Sequence, residues 1–291
     1  MPQPDARPDV AARLVARGLV PGDATWRALP GGRTNRIWRV RGGGIDLVCK
    51  CYAGDGASPL FPNDPQAEAL ALKSLAGTGL APRLHALDEE GGACLLYNFL
   101  PGDGAATPPE EVARLLRRLH DMPPPNGLRQ LASGADAILE TGDRALKDCP
   151  PDTAARLISL RPAPVDVSEG PSVFLHGDPV PANVVGGADG PALIDWQCPA
   201  LGDPCEDLAI FLSPAMQVLY GGTPLDPAQS ETVLAAYGDA KTTKRYRALA
   251  LHFHWRMAAH CLWKAARGDA DYARAAELEI AALRMCGKKV R

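Results

Sequence analysis

Apolar positions along the chain follow two different periods, and the change from one to the other divides it. Val10, Leu14 and Val15 recur at helical spacing between Pro8 and Gly18, which predicts a short packing helix stopped by the glycine. Residues 26–29, 36–40 and 45–52 read as three strands, separated by Pro30-Gly31-Gly32-Arg33-Thr34-Asn35 and by Gly42-Gly43-Gly44. Connections this short predict an antiparallel meander. A helix follows over 64–75, with Asp64 as acidic cap, Pro65 in the first helical position and Leu70, Leu72 and Leu75 facing a core. Two further strands, near 82–87 and 93–99, flank the turn Asp88-Glu89-Glu90-Gly91-Gly92. The pattern breaks at Leu100-Pro101-Gly102-Asp103-Gly104. Beyond it the helical period dominates: 108–119 with the stripe Val112, Leu115, Leu116 and Leu119, a less regular region over 128–145, and helices over 153–160, 242–266 and 270–285. The expectation is an α+β chain in two lobes, a small sheet with one main helix over 1–99 and a mostly helical lobe over 100–291.

One stretch of the second lobe departs from the helical pattern. Phe174-Leu175-His176-Gly177-Asp178 ends a strand-like run and reaches Asn183 through two prolines, and a second run, Ala192-Leu193-Ile194, ends in Asp195 and Trp196. A hairpin would bring the two carboxylates and the amide together, as a base beside a hard-cation site. Magnesium is commonly held by one or two protein carboxylates together with substrate phosphates, so phosphoryl transfer is the first chemistry to consider. Upstream, Lys50 is a charge inside an apolar strand, and Glu68, in the first turn of the 64–75 helix, is the nearest carboxylate able to pair with it. A solvated strand face is the plainer explanation of Lys50. Thr34 and Asn35 close a glycine turn that also fits a phosphate-covering loop, though taken alone an ordinary hairpin turn is the plainer explanation.

Composition narrows the field. A net charge of −3 and a pI near 6.1 offer no general attraction to nucleic acid. Prolines and charges in the first twenty residues fit neither a signal peptide nor a membrane span, and the expected setting is cytoplasmic. The eight cysteines form no CxxC pair, which favours reduced thiols; Cys49 and Cys51 are expected to pack inward from one strand face while Lys50 points the other way. His252 and His254 diverge on a helix, which argues against zinc. Trp255 and Trp263 share a helical face, either as core or as rings that attract a cationic ligand. Asp203 before Pro204 reads as a helix cap, and Asp207, one turn on, is placed to brace the loop carrying His176 and Asp178.

Taken in order, Gly31-Gly32-Arg33-Thr34-Asn35, Lys50, Glu68, His176-Gly177-Asp178 with Asn183, Ile194-Asp195-Trp196, and Gly202-Asp203-Pro204 with Asp207 resemble the aminoglycoside phosphotransferase and choline kinase families, which share the bilobal fold of protein kinases. The resemblance implies an ATP- and Mg2+-dependent kinase acting on a hydroxyl of a small molecule, with no nucleic-acid or membrane partner. It assigns Asp178 as the base, and Asn183 and Asp195 to magnesium. Gly32, Thr34, Asn35, Lys50 and Glu68 would serve the nucleotide phosphates, and the hinge Tyr97, Asn98 and Phe99 the adenine. Where protein kinases carry Arg after the loop histidine and Phe-Gly after the metal-binding Asp, this chain has Gly177 and Trp196-Gln197, a departure toward small acceptors. Trp196, Trp255 and Trp263 favour an amino alcohol such as choline or ethanolamine, and thiamine would suit the same rings. Glu206, or Asp269 with Asp271, would serve an aminoglycoside. A kinase-like protein that binds nucleotide without catalysis is the competing class.

Overall fold

The computed structural model describes residues 9–30, 33–54, 56–102, 107–187 and 190–289, with the backbone alone at 187 and 287–289. Strands β1 (Thr25–Ala28), β2 (Arg36–Gly42), β3 (Ile45–Cys51), β4 (Leu84–Asp88) and β5 (Cys94–Asn98) make one antiparallel sheet in the order β1-β2-β3-β5-β4. The first three strands form the expected meander. The chain then leaves through α2 (Pro65–Ser74) and returns so that β5, not β4, lies against β3.

Alternation along β3 assigns its two faces. Leu47 and Cys49 lie with Ala11 and Leu14 of α1 (Val10–Ala16), while Val48 is on the opposite side with Ala69, Leu72 and Leu75 of α2 and the segment after it. Lys50 therefore points into the α2 side, and the cysteines point toward α1. The Asp64 carboxylate accepts from the Gln66 and Ala67 N–H groups, a cap worth about 1 kcal/mol that fixes where α2 begins.

The remaining helices are α3 (Pro109–His120), α4 (Ala135–Leu146), α5 (Pro151–Ile158), α6 (Cys205–Phe211), α7 (Pro214–Tyr220), α8 (Pro227–Tyr237), α9 (Ala240–Ala265) and α10 (Ala270–Lys289). Helix α9 is the spine, touching α4, α5, α6, α8 and α10. Helices α7 and α8 extend what the hydrophobic pattern had predicted. The 128–145 region differs from its expected helical character: Arg129–Gln130 is a strand, β6, and the helix begins only at Ala135. Its partner is β10 (Ala200–Gly202), which also pairs with β7 (Val173–Leu175). That partner lies some seventy residues downstream, where local periodicity carries no information. The hairpin β8 (Val184–Gly187) and β9 (Gly190–Leu193) completes the strands. The largest core runs unbroken from Val48, Leu72 and Leu95 through Leu115 and Leu116 of α3 to Phe174, Trp196 and Leu208, so the sheet and the helices share one interior. Among the described residues no helix is long and apolar enough to cross a membrane.

Helix α10 is fastened by a buried carboxylate. Glu279 accepts from the Ser213 hydroxyl and the Ala215 N–H, and pairs with Nδ1 of His254 at 2.7 Å. Burial alone would lower the pKa of His254, but Cys286 and Glu279 outweigh it and raise it to about 10. A raised histidine pKa stabilises the fold fully below about 6.5, the unfolded value, and that contribution is lost as pH rises through about 10. Replacing His254 with Gln is expected to cost on the order of 3 kcal/mol at pH 6, with the gap to wild type closing toward pH 10. Urea unfolding of both proteins across that range measures it, and a gap independent of pH would contradict the pairing.

Candidate active site

The β8–β9 hairpin does what the sequence required of it. Val184 faces Leu193 in register, and the Ile194 N–H donates to the Asn183 carbonyl at 2.9 Å, so Asn183 and Asp195 flank the open end of one ladder. Asp195 stands at φ 63°, the single described non-glycine residue in the left-handed region. Such a conformation costs roughly 1–3 kcal/mol and persists where the surroundings enforce it. Its carboxylate is held in an ion pair with Lys50.

His176 joins the two loops. Its Nδ1 accepts from the Asp178 N–H at 3.2 Å and its Nε2 donates to the Ile194 carbonyl at 3.0 Å, while its ring meets Trp196 edge-on. Burial lowers the pKa of His176, so the ring is neutral, as these two roles require. Asp207, in the first turn of α6, takes the main-chain N–H groups of His176 and Gly177 at 2.8 and 2.9 Å, and His120 at 3.1 Å. Burial would raise the Asp207 pKa, but the hydrogen bond from His120, together with the backbone N–H of His176, holds it below the usual carboxylate range. Asp207 thus braces the loop, as expected. Gly177 sits at φ 80°, and a Cβ there would meet the Cys198 carbonyl oxygen at 2.1 Å. No other residue fits without moving that strand connection.

Asp178 is half-buried, and its partner is Asn183, whose Nδ2 donates to the Asp178 carbonyl at 2.9 Å and lies 3.5 Å from its Oδ2. Burial, with the Asp195 and Asp207 charges, raises the Asp178 carboxyl to about 8 against the opposing pull of Lys50 and Asn183. With its nitrogen engaged, Asn183 keeps Oδ1 as an acceptor that no described residue donates to. Asp195 and Asn183 Oδ1 supply oxygen donors only, a set that fits magnesium shared with phosphates.

Lys50 is fully buried, with Glu68 Oε2 at 2.5 Å on one side and Asp195 on the other; the Tyr52 hydroxyl also donates to Glu68 Oε2. Burial would lower the ammonium's pKa, but Asp195 and Glu68 hold it above the ordinary lysine range. Burial raises Glu68, and its Oε1 has no partner among the described residues. The solvated-face reading of Lys50 is thereby removed. A buried ammonium between carboxylates from the sheet helix and the hairpin links the two parts of the molecule.

Some expected residues play other parts. Asn35 is buried, and both ends of its amide are taken: Nδ2 donates to Asn63 and Gln197 at 2.8 and 2.7 Å, and Oδ1 accepts from Asn63 and the Ala53 N–H. It ties the glycine turn to Gln197, two residues past Asp195, and is not free to reach a phosphate. Asn35→Ala is expected to cost about 1–3 kcal/mol, since its buried partners lose their bonds. Thermal unfolding beside nucleotide affinity checks this, and an unchanged midpoint would contradict it. Gly31 and Gly32 lie outside the described residues. Arg33 turns away from the hairpin to pair with Asp269 and Asp271 at 3.4 and 3.1 Å.

At the hinge, the Tyr97 side chain is buried in the core, and the N–H groups of Asn98 and Phe99 donate to the Arg83 and Asp46 carbonyls. Adenine would therefore have to find its N–H donor elsewhere. Trp196 and Trp255 are corrected from acceptor contacts to core: both are fully buried, with indole N–H groups donating to the Leu193 and Leu157 carbonyls. Trp255 also fills the space beside Gly142, where a Cβ would lie 2.4 Å from its ring. Glu206 is buried in a two-point pair with Arg256, at 3.0 and 2.5 Å, and has no charge to spare for an acceptor. The Trp263 ring carries the Arg267 guanidinium at 3.7 Å.

The aromatic wall that does adjoin Asp178 comes from residues that no motif marked. Phe61, Tyr220, His260 and Tyr272 line a cavity with Asp178, Gln197 and Lys264. Burial, with the Lys264 and Arg256 charges, lowers His260 to about 3, so that ring is neutral. The Tyr220 and Tyr272 hydroxyls are bonded at 2.9 Å, and the Arg33 guanidinium lies 5.6 Å from each ring. The four rings come from separate elements, and only their shared cavity identifies them.

Residues 25–252 match the sequence model of a phosphotransferase enzyme family. No curated protein sequence matches the chain. Among solved structures it is similar to a choline/ethanolamine kinase family protein from Mesorhizobium loti (18% identity, 94% of this chain and 92% of that one, TM-score 0.67). It is also similar to a choline kinase from Cryptosporidium parvum (14%, 95% and 94%, TM-score 0.65) and to an aminoglycoside phosphotransferase (15%, 94% and 99%, TM-score 0.65). At these identities the likeness establishes the α+β, protein-kinase-like fold.

Proposed function

The chain belongs to the phosphotransferase enzyme family, and from that premise we propose that it is an ATP- and Mg2+-dependent kinase that phosphorylates a hydroxyl of a small molecule, best an amino alcohol such as choline or ethanolamine. The observation that carries the kinase reading is the buried Lys50 ammonium held between Glu68 and Asp195, beside Asp178 and Asn183 on the hairpin. In this reading residues 1–99 hold the nucleotide and residues 100–291 carry the base and the acceptor, in a cytoplasmic setting where ATP is at hand.

Phosphoryl transfer asks for position and charge neutralisation more than for covalent help. Lys50, fixed by Glu68, presents its ammonium to the nucleotide phosphates. Asn183 and Asp195 would hold magnesium, which when bound supplies positive charge at those phosphates. Asp178 orients the acceptor hydroxyl and takes its proton as the oxygen attacks phosphorus. A base with a pKa near 8 is well matched to that task, because its conjugate acid is stable enough to keep the proton near neutral pH.

The acceptor's chemistry is inferred from the cavity. Tyr220 and Tyr272, which line it, already carry one cation, the Arg33 guanidinium, which Asp269 and Asp271 hold in place, and such rings suit an acceptor ammonium. Thiamine or an amino sugar would draw on the same groups. One observation favours a second reading: Lys264 lines the cavity with its Nζ 5.7 Å from the Tyr272 ring and no carboxylate in ion-pair range among the described residues, which suits an acceptor carrying an anionic group.

ADP release with Mg-ATP over choline, ethanolamine, thiamine, aminoglycosides and a hydroxy acid decides among these. Phosphorylation of the amino alcohols is the expected result, and turnover of the hydroxy acid alone selects the second reading. Nucleotide binding with no turnover on any of them overturns the amino-alcohol reading and leaves the kinase class to be tested separately from a non-catalytic kinase-like protein.

A further inference from the structure

Three thiols meet on the face of the sheet opposite Lys50. Cys49 and Cys51 are two apart on β3, with sulfurs 3.9 Å from each other, and Cys94 opens β5 directly across from Cys51. The ladder decides which pair can join. The Tyr52 N–H donates to the Ala93 carbonyl at 3.0 Å, so Tyr52 and Ala93 form a hydrogen-bonded pair, and the next pair along, Cys51 with Cys94, is a non-hydrogen-bonded one. At such positions the Cα atoms stand about 4.5 Å apart, within the roughly 4.4–6.8 Å span that a disulfide bridges. Cys49 faces Leu96 across the ladder and has no cysteine opposite it.

Access and reactivity differ within the trio. Cys49 and Cys94 are fully buried, while Cys51 is partly exposed and is the most accessible cysteine of the three. The neighbouring Cys49 and Cys51 thiols, helped by the Arg13 guanidinium of α1, lower the Cys94 pKa against burial. Cys94 is therefore the thiolate of the group, and its two neighbours keep their protons.

We propose that Cys51 and Cys94 form a peroxide-sensitive dithiol that closes to a disulfide across β3 and β5. The Cys51 proton passes to the Cys94 thiolate, and the Cys51 thiolate attacks one oxygen of a hydroperoxide; the S–O bond forms as the O–O bond breaks, and the second oxygen, leaving as hydroxide when the oxidant is hydrogen peroxide, takes the proton back from Cys94 and becomes water. The Cys94 thiolate then attacks the Cys51 sulfur. The S–S bond forms, the S–O bond breaks, and the departing hydroxide takes a proton from solvent. The two cysteines together give up two electrons, and the peroxide accepts them. Because the pair is already in register, the bond ties the strand of Lys50 to the strand of Tyr97 without a change of fold. This site is independent of the kinase assignment.

The test uses the whole protein treated with a small excess of hydrogen peroxide, alkylated with iodoacetamide and mapped by peptide mass spectrometry. The expected result is loss of two of the eight thiols, a linked peptide joining Cys51 to Cys94, and full reversal by dithiothreitol. Cys51→Ser should abolish the link, whereas Cys49→Ser should keep it and slow its formation, having removed one donor to the thiolate. No linked peptide in the folded wild-type protein, or a link that survives in Cys51→Ser through Cys49, would overturn the proposal. The wild-type map stands whether or not either variant folds.

Discussion

Asp178→Ala is expected to lower phosphoryl transfer by about 10²- to 10⁴-fold, the usual contribution of a positioned base, while leaving nucleotide binding nearly unchanged. The separation follows from the contacts. The Asp178 carboxylate makes no bond to Lys50 and touches the cation-site residues only through Asn183 Nδ2, at 3.5 Å, whereas Lys50 and Asp195, which would face the nucleotide, are paired with each other. Folding should not suffer. A carboxyl raised to about 8 by burial and by Asp195 and Asp207 weakens the fold as pH climbs from about 4 to 8, so removing it relieves a cost at neutral pH. The variant should therefore melt at or above the wild-type midpoint at pH 8 and still shift with Mg-ATP. Full turnover in this variant would sink the assignment of the base. Loss of turnover together with loss of nucleotide binding would show that the site had collapsed.

Lys50→Met should damage both stability and chemistry. Lys50 is fully buried between two carboxylates, and removing it leaves Glu68 and Asp195 facing each other with Tyr52 against them. Breaking a buried pair in this way costs about 3–5 kcal/mol, because the remaining charge has lost its partner in a dry environment. Turnover should fall by at least about 10²-fold, the loss typical of one donor aimed at developing charge. A double variant separates the two effects. Adding Glu68→Gln removes one of the stranded charges and should recover part of the stability, but it restores no cation, so activity should stay low. Urea unfolding and ADP release on the single and double variants measure this, and recovery of activity in the double variant would argue against a phosphate contact for Lys50.

How far the site was legible depended on whether its residues are joined by local structure. His176, Asp178, Asn183 and Asp195 come from one short segment, and the two runs flanking a glycine turn were enough to place them at the end of a hairpin. Asp207 was legible for the same reason, four residues after Asp203, although the helix is capped at Pro204 and the Asp203 carboxylate is paired with Arg245. Lys50 and Glu68 required a judgement about an odd charge in a strand, which the buried pair resolves. The aromatic assignments went another way. Trp255 and Trp263 do share a helical face, but periodicity states only that a face exists. Trp255 covers Gly142 and Leu157 of neighbouring helices, while the rings that border Asp178 come from Phe61, Tyr220, His260 and Tyr272 on separate elements.

By itself the sequence determined the α+β division, the cap that starts α2, and the order of charged groups from Lys50 to Asp207, because these rest on spacing along a few residues. Tertiary structure decided three further things: that β5 inserts between β3 and β4, that Asn35 is spent on Gln197 and Asn63, and that Arg33 fills the cation position over Tyr220 and Tyr272. Each of these depends on which distant group excludes water from a given side chain. Burial is a property of the assembled chain, and spacing along it does not encode which distant groups will meet.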